Sequence, residues 1–178
     1  MDIVLFGDSH LGRFGKSQVE LLESLIPGSI VYNCAMGGAT SEDGVVRAKF
    51  MGQLQPDVVI VSYKGNDVSP WKKITPKEKY LQNMRAVFEA FPHSRKILFS
   101  SPDVELTDAT QTEKYNQRAT KYAEALLPVC DELGVVIVHG QDVVSAMNEV
   151  HHEPDGVHMT EQACREVIYT LATAVLSL

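Results

Sequence analysis

The chain alternates short runs of β-branched and aliphatic residues with longer segments in which apolar residues recur at helical spacing. The short runs predict five strands, at 2–6, 30–33, 57–62, 96–101 and 135–138. The longer segments predict helices whose apolar stripes, within 80–91, 115–126 and 163–178, face the core. Strands that alternate with helices are typical of βαβ units. The sequence therefore predicts an α/β fold with a mostly parallel sheet covered on both faces.

Capping residues and prolines set the expected limits of two helices. Asp108, with Gln111 three residues later, predicts the start of the third helix. We expect Pro128 to interrupt that helix, because a proline ring disfavours a helix interior, and Gly134 to end it. Thr160 is the expected N-cap of the last helix. Apolar residues within 67–76 recur at neither helical nor strand spacing, and we interpret this segment as a surface loop.

Length and charge narrow the function classes. With 178 residues, of which 44% are hydrophobic, we expect one domain spanning 1–178. Sixteen Lys and Arg against 23 Asp and Glu give a net charge of −7, and the chain has no long basic run. Because nucleic-acid binding requires a basic footprint, we expect no nucleic-acid partner.

The sequence also indicates a cytoplasmic protein. No stretch approaches the ~18 apolar residues of a membrane span, so we expect no membrane partner. The first residues carry Asp2 and lead directly into a strand-like run without a basic segment, which argues against an export signal. Three cysteines without metal-type spacing favour a reducing compartment. Nothing in the sequence indicates an oligomeric state.

Chemically useful residues follow the predicted strands. In an open parallel sheet, ligands bind beyond the carboxyl ends of the strands, so residues at those positions are candidates for a site. The segments that follow strands one to three, and the one that precedes the last helix, are 7–10, 33–40, 64–67 and 155–158. They bring a serine, a flexible glycine backbone, a carboxamide and an Asp-His pair to one edge.

These residue types suit acyl transfer. A serine hydroxyl needs a base such as His158, and that base needs a carboxylate such as Asp155 to fix its tautomer. The resulting oxyanion needs preorganised donors, which the Gly38 N–H and the Asn66 carboxamide can supply. All the parts that acyl transfer needs are therefore present in the sequence.

Four segments in this order resemble the sequence blocks of the SGNH, or GDSL-type, hydrolases, from residue 3 to about residue 160. They are Gly7-Asp8-Ser9, Gly38 after Asn33, Gly65-Asn66-Asp67, and Asp155-x-x-His158. The resemblance implies a flavodoxin-like, three-layer α/β/α sandwich with esterase, lipase, deacetylase or thioesterase activity and no metal or organic cofactor. It also implies a small-molecule ester, thioester or O-acetyl substrate.

The resemblance implies a role for each matched position. Ser9 would be the nucleophile, His158 the base and Asp155 the residue that orients it. The Ser9 and Gly38 N–H groups, with the Asn66 side chain, would form the oxyanion hole. His10 and Lys64 depart from the usual family residues, and we expect both at the pocket wall as candidate substrate-binding residues.

Each candidate also has an ordinary structural interpretation. Ser9 suits a helix cap, Gly37-Gly38 and Asn66-Asp67 suit tight turns, and His158 suits an exposed surface position. Cys34 suits a small core residue without a base beside it. It is the shared location at strand ends that favours the functional interpretation.

A metal site is the alternative use of the C-terminal histidines. Imidazoles and carboxylates occur together at 151–158: His151, His152, Glu153, Asp155 and His158. Adjacent histidines in extended chain face opposite ways, so we expect no metal to bind there.

Two other functions stay open beside hydrolysis. Acyl transfer to an alcohol would use the same residues, and a small-ligand or nucleotide-binding module would use the strand-end glycines. The second lacks a phosphate-binding glycine motif after the first strand. Among hydrolases we expect short acyl groups, because little sequence remains to build an apolar channel. We expect Trp71 either to overhang the site or to pin its own loop.

Overall fold

Five short runs rich in Val and Ile form one parallel sheet in the computed structural model, which describes residues 1–178. The strands are β1 Asp2–Gly7, β2 Ile30–Asn33, β3 Val58–Ser62, β4 Arg95–Ser100 and β5 Val135–His139. Their order in the sheet is β2-β1-β3-β4-β5. The predicted strands agree with these bounds to within one residue at each end, and the predicted α/β class is confirmed.

Helices connect the strands and cover both faces of the sheet. They are α1 Ser9–Gly12, α2 Lys16–Leu25, α3 Ser41–Met51, α4 Gly65–Val68, α5 Lys77–Glu89, α6 Ala109–Leu133, α7 Gly140–Ser145 and α8 Glu161–Leu176. A single 3₁₀ turn, Gly52–Leu54, follows α3. No helix combines the length and the apolar character needed to cross a membrane.

Alternate residues of β1 point into the two halves of the core. Ile3 and Leu5 pack with residues of α2, α7 and α8, whereas Val4 and Phe6 pack with residues of α3, α5 and α6. Because successive side chains of a strand face opposite ways, this central strand needs apolar residues at every position. The predicted apolar stripes are buried or half-buried here, except Leu178, which lies beyond the end of α8 and is 37% exposed.

The expected interruption at Pro128 is wrong. Helix α6 runs without a break from Ala109 to Leu133. Pro128 is on its exposed face, so water can hydrogen-bond the carbonyl that the missing proline N–H leaves free. The expected ends of this helix are confirmed, with Asp108 accepting hydrogen bonds at the start and Gly134 in the left-handed region at the end.

The expectation that 67–76 is a surface loop is wrong for its first part. Asp67 and Val68 complete the short helix α4 and are fully buried, and Ser69 is 5% exposed. The segment turns inwards because the Asp67 carboxylate binds the N-terminus of α3 below the sheet edge. Residues 70–73 and Pro76 are exposed as expected, whereas Thr75 is buried.

Candidate active site

The turn after β1 places Ser9 at the edge of the sheet. Gly7 ends the strand beside Ser62, and a Cβ atom there would lie 2.3 Å from the Ser62 carbonyl oxygen, so only glycine fits. Asp8 then caps α1, its carboxylate accepting a hydrogen bond from the His10 N–H at 3.0 Å. Ser9 is the first residue of that helix, where backbone N–H groups have no partner inside the helix.

The hydroxyl of Ser9 faces the ring of His158. The distance from Ser9 Oγ to His158 Nε2 is 2.9 Å. On the other side of the ring, His158 Nδ1 lies 2.6 Å from Asp155 Oδ2. A hydroxyl, an imidazole and a carboxylate thus form one hydrogen-bonded line, although 149 residues separate Ser9 from His158.

A tight turn fixes the Asp155-His158 pair. Asp155 Oδ1 accepts hydrogen bonds from the N–H groups of Val157 and His158, each at 2.9 Å. Partial burial favours the neutral acid, but the hydrogen bonds from His158 and Val157 outweigh it and hold the pKa of Asp155 well below its usual range. The carboxylate therefore stays ionised beside the imidazole. The guanidinium of Arg13 is also near, with Nη2 3.8 Å from Asp155 Oδ2.

Two further hydrogen-bond donors, the Gly38 N–H and the Asn66 side-chain amide, reach the same cleft from neighbouring segments. Gly38 has a φ of +76°, a left-handed conformation that favours glycine, and its N–H forms no hydrogen bond within the protein. Asn66 donates one amide hydrogen to the Ala39 carbonyl at 3.0 Å, which leaves its other hydrogen for a ligand. Gly38, Asn66, Ser9 and His158 all line this cleft.

The cleft around Ser9 has a volume of about 470 Å³, and most of the residues that line it are glycine or polar. Its apolar lining residues are Trp71, Tyr115 and Val157, and all the others are glycine or polar. Arg13 and Lys72 add positive charge at its rim. A cleft of this kind suits a small polar molecule better than a long hydrocarbon chain.

His10 lies in the wall of the cleft, next to His158. Its ring is 5.9 Å from that of His158, and only 5% of the residue is exposed. Burial, followed by repulsion from His158, lowers the pKa of His10 to about 3. His10 is therefore neutral near pH 7, and a proton on His158 does not face a second cation.

Asp8 is buried beside this pair. Burial raises the pKa of Asp8 to about 7, although the hydrogen bond from the His10 N–H opposes the shift. The hydrogen bond from the His10 N–H is a local backbone contact of the kind that an aspartate makes at a helix start. The burial of Asp8 could not be read from a strand-to-helix turn.

Lys64 does not line the cleft, contrary to expectation. Its ammonium is buried on the other side of the loop, where it donates to Ser100 Oγ at 3.2 Å and to the Ser101 carbonyl at 3.1 Å. These acceptors lie at the end of β4 and draw the side chain away from Ser9. Trp71 does lie at the cleft, 58% exposed, with its ring 6.1 Å from that of Tyr115.

Arg13 and Tyr115 also line the cleft, although neither was among the predicted site residues. Arg13 follows Ser9 by four residues, a spacing that places it one helical turn away on the same side. Tyr115 was assigned to the core stripe of α6, and its ring is indeed buried. Its hydroxyl nevertheless donates to the Gly65 carbonyl at 2.9 Å, a contact between distant segments that no local pattern indicates.

Comparison with known families agrees with this geometry. The GDSL-like lipase/acylhydrolase family matches residues 5–165, which is most of the chain. The chain belongs to this family, as the four sequence motifs indicated. It is accordingly an enzyme of the serine esterase and acylhydrolase class. Comparison with curated protein sequences gives no match.

Solved structures share the fold over nearly the whole chain. A lipase/acylhydrolase from Enterococcus faecalis has a TM-score of 0.85 at 20% identity, covering 98% of this chain and 94% of that one. Est24, a carbohydrate acetylesterase from Sinorhizobium meliloti, has a TM-score of 0.80 at 14% identity, with 99% and 98% covered. An aryl esterase from M. smegmatis has a TM-score of 0.80 at 19% identity, with 99% of both chains covered.

Proposed function

We propose that the protein hydrolyses a small carboxylic ester through a covalent acyl-enzyme on Ser9. The observation that carries this proposal is the hydrogen-bonded line from Ser9 Oγ through the His158 ring to Asp155. His158 Nε2 takes the hydroxyl proton as Ser9 Oγ attacks the acyl carbon, and the ionised Asp155 stabilises the imidazolium that results.

The rest of acylation and the whole of deacylation use the same groups. The imidazolium returns its proton to the departing alkoxide, which leaves as an alcohol and completes the acyl-enzyme. Water then attacks the acyl carbon while His158 takes one of its protons. The bond between Ser9 Oγ and the acyl carbon breaks, and His158 returns that proton to Ser9 Oγ, which releases the acid and free Ser9. Asp155 is partly exposed at the cleft, which supports access of water and hence hydrolysis.

We propose that three donors stabilise the oxyanion of each tetrahedral intermediate. They are the N–H groups of Ser9 and Gly38 and the free amide hydrogen of Asn66. The Gly38 N–H has no acceptor within the protein, the Ser9 N–H is at the first position of α1, where no acceptor within the helix exists, and all three residues line the cleft. Donors fixed before the reaction cost no reorganisation when charge develops on the carbonyl oxygen.

The substrate that fits this cleft best is a short-chain acyl ester of a polar alcohol. The cleft holds no run of apolar residues that could bury a long acyl chain. The exposed ring of Trp71 offers an aromatic face among polar groups, an environment suited to a sugar or an aryl alcohol. Two structural neighbours, a carbohydrate acetylesterase and an aryl esterase, are consistent with this choice.

A series of p-nitrophenyl esters of increasing acyl length tests the substrate class. We expect kcat/KM to be highest for the shortest acyl groups and to fall as the chain lengthens. A channel that buried each methylene would instead raise kcat/KM by about fourfold per methylene, from ~0.8 kcal/mol of transfer free energy. Such a rise up to decanoate would contradict the proposal. Trp71→Ala serves as the matched variant, since removal of the overhanging ring should reduce discrimination against longer chains.

A further inference from the structure

A second cluster of ligand-type side chains lies outside the proposed triad. It comprises Glu105, in the segment between β4 and α6, and the adjacent histidines His151 and His152. One nitrogen or oxygen atom from each of the three lies within 4.8 Å of the others. We call these three residues the Glu105 cluster.

The side chains of His151 and His152 point to the same side of the chain, although adjacent side chains of an extended chain point to opposite sides. Their ring centroids are only 4.7 Å apart. The chain folds back at this point, since His152 forms an antiparallel bridge with Met159 and the His151 carbonyl accepts the Thr160 N–H. The expectation that adjacent histidines face opposite ways is therefore wrong here. Both rings turn towards Glu105.

His152 has no hydrogen-bonding partner in spite of its burial. Its side chain is 4% exposed, and neither Nδ1 nor Nε2 forms a hydrogen bond. The nearer Glu105 oxygen is 3.7 Å away, and the Asp103 backbone is close to the ring without normal hydrogen-bond geometry. A buried imidazole without partners is costly, which points to a ligand that would satisfy it.

We propose that the Glu105 cluster binds a divalent transition-metal ion of the Zn²⁺ type. Two imidazoles and one carboxylate are a ligand set that zinc accepts, with water at the fourth position. Ligand atoms ~2.0–2.1 Å from a tetrahedral ion lie ~3.4 Å from each other. His151 Nε2 lies 3.1 Å from Glu105 Oε1 and His152 Nδ1 lies 3.7 Å from Glu105 Oε2, so each histidine faces one oxygen of the carboxylate at a separation close to that value.

Such an ion would fasten the segment that carries the proposed base. The Glu105 N–H already donates to the Gly156 carbonyl at 2.7 Å, and the Glu153 N–H donates to the His158 carbonyl at 2.7 Å. The first of these bonds joins Glu105 to the segment of His158, and the second closes the turn within that segment. An ion shared by Glu105 and the two histidines would add a further link between the two segments. No step of the proposed hydrolysis passes through it. This site replaces the expectation that no metal binds among these histidines.

Calorimetric titration of the full chain with ZnCl₂ tests the site. We expect one ion per chain, and a melting temperature that rises with zinc concentration because the ion binds the folded state. His151→Gln and His152→Gln should weaken binding by more than the roughly tenfold that loss of a supporting group costs. His93→Gln, which removes an exposed histidine elsewhere, is the matched control and should bind zinc like the wild type.

A His158→Gln variant separates this site from the Ser9 cleft. Zinc binding retained in His158→Gln and lost in His151→Gln supports the Glu105 cluster. Binding lost in His158→Gln but unchanged in His151→Gln would assign the ion to the cleft and overturn the proposal. Absence of zinc binding by the wild type would overturn it too. If His152→Gln fails to fold, His151→Gln alone decides between these outcomes, since the His151 side chain is 22% exposed and its replacement disturbs the core less.

Discussion

Asp67 receives three hydrogen bonds from Ser41, and this pair joins the loop that carries Asn66 to the loop that carries Gly38. The Ser41 hydroxyl donates to Asp67 Oδ1 at 2.6 Å, and the Ser41 N–H lies 3.0 and 3.2 Å from the two carboxylate oxygens. Both residues are fully buried. Burial raises the pKa of Asp67, although the Ser41 hydrogen bonds oppose the shift. The pair fixes the two proposed oxyanion donors relative to each other.

Loss of this link should weaken both stability and turnover. Asp67→Ala leaves buried Ser41 donors without an acceptor, at a cost of about 3 kcal/mol in the free energy of unfolding. Asp67→Asn keeps one acceptor and should cost less. Denaturant unfolding measures the first effect and kcat the second, with the exposed Asp131→Asn as control. Wild-type stability in Asp67→Ala would show that the link is unimportant.

Asp155→Asn should reduce kcat by roughly 10²–10⁴-fold, the range of a general-base contribution, with little change in KM. The pKa of Asp155 is held low, so the carboxylate that stabilises the imidazolium stays charged from neutral to mildly acidic pH. Protonation of Asp155 therefore does not set the acid limb of the pH profile. Steady-state kinetics of the variant give the answer, and undiminished kcat would remove Asp155 from the mechanism.

Asn66→Ala deletes one proposed oxyanion donor. Removal of a comparable donor typically costs about 10²–10³-fold in kcat, and substrate binding in the ground state should barely change. The variant also loses the hydrogen bond to Ala39, so its melting temperature should be recorded alongside the kinetics. A raised KM with unchanged kcat would mean that Asn66 binds substrate and does not stabilise the transition state.

Asp8 and His10 should give opposite pH dependences of stability. The pKa of Asp8 rises from 3.8 to about 7 on folding, so between these values the folded chain holds the extra proton and stability falls as pH rises. The pKa of His10 falls from 6.5 to about 3, so the unfolded chain holds the extra proton and stability falls as pH drops through that window.

Unfolding of two variants from about pH 4 to about pH 8 separates the effects. Asp8→Asn should gain stability relative to wild type as pH rises, by as much as ~4 kcal/mol for a shift of this size. His10→Gln should gain relative to wild type as pH falls. The exposed Asp142→Asn should follow the wild type at every pH. Parallel curves for all four proteins would refute burial as the origin of these pKa values.

The sequence predicted the strands well because the inner strands β1, β3 and β4 are largely buried on both faces, and the edge strands β2 and β5 are still short β-branched runs. Residues 58–62 and 97–99, for example, are apolar at almost every position, and turn residues bound them. Chemical groups just past such strands must meet at one edge of a parallel sheet, which is why Ser9, Gly38 and Asn66 could be grouped without coordinates. The location of His158 beside them followed from the family resemblance.

What the sequence could not supply depends on contacts between distant segments. Lys64 turns away from the cleft because Ser100 and Ser101 accept its hydrogen bonds. Pro128 stays within α6 because it is on the exposed face. His151 and His152 share a side because the chain folds back onto Met159. Ser100, Ser101 and Met159 all lie more than a few residues in sequence from the groups that they position, so the local sequence pattern does not predict these contacts.

The most direct test of Ser9 as the nucleophile is the site of covalent modification by an organophosphonate. We expect a single adduct in the intact mass of the wild type, and peptide mapping should place it on Ser9. Ser9→Ala should lose both the adduct and ester hydrolysis, whereas Ser69→Ala, at another serine of the same cleft, should keep the adduct. An adduct on Ser69 or Cys34, or full turnover by Ser9→Ala, would contradict the proposed acyl-enzyme mechanism.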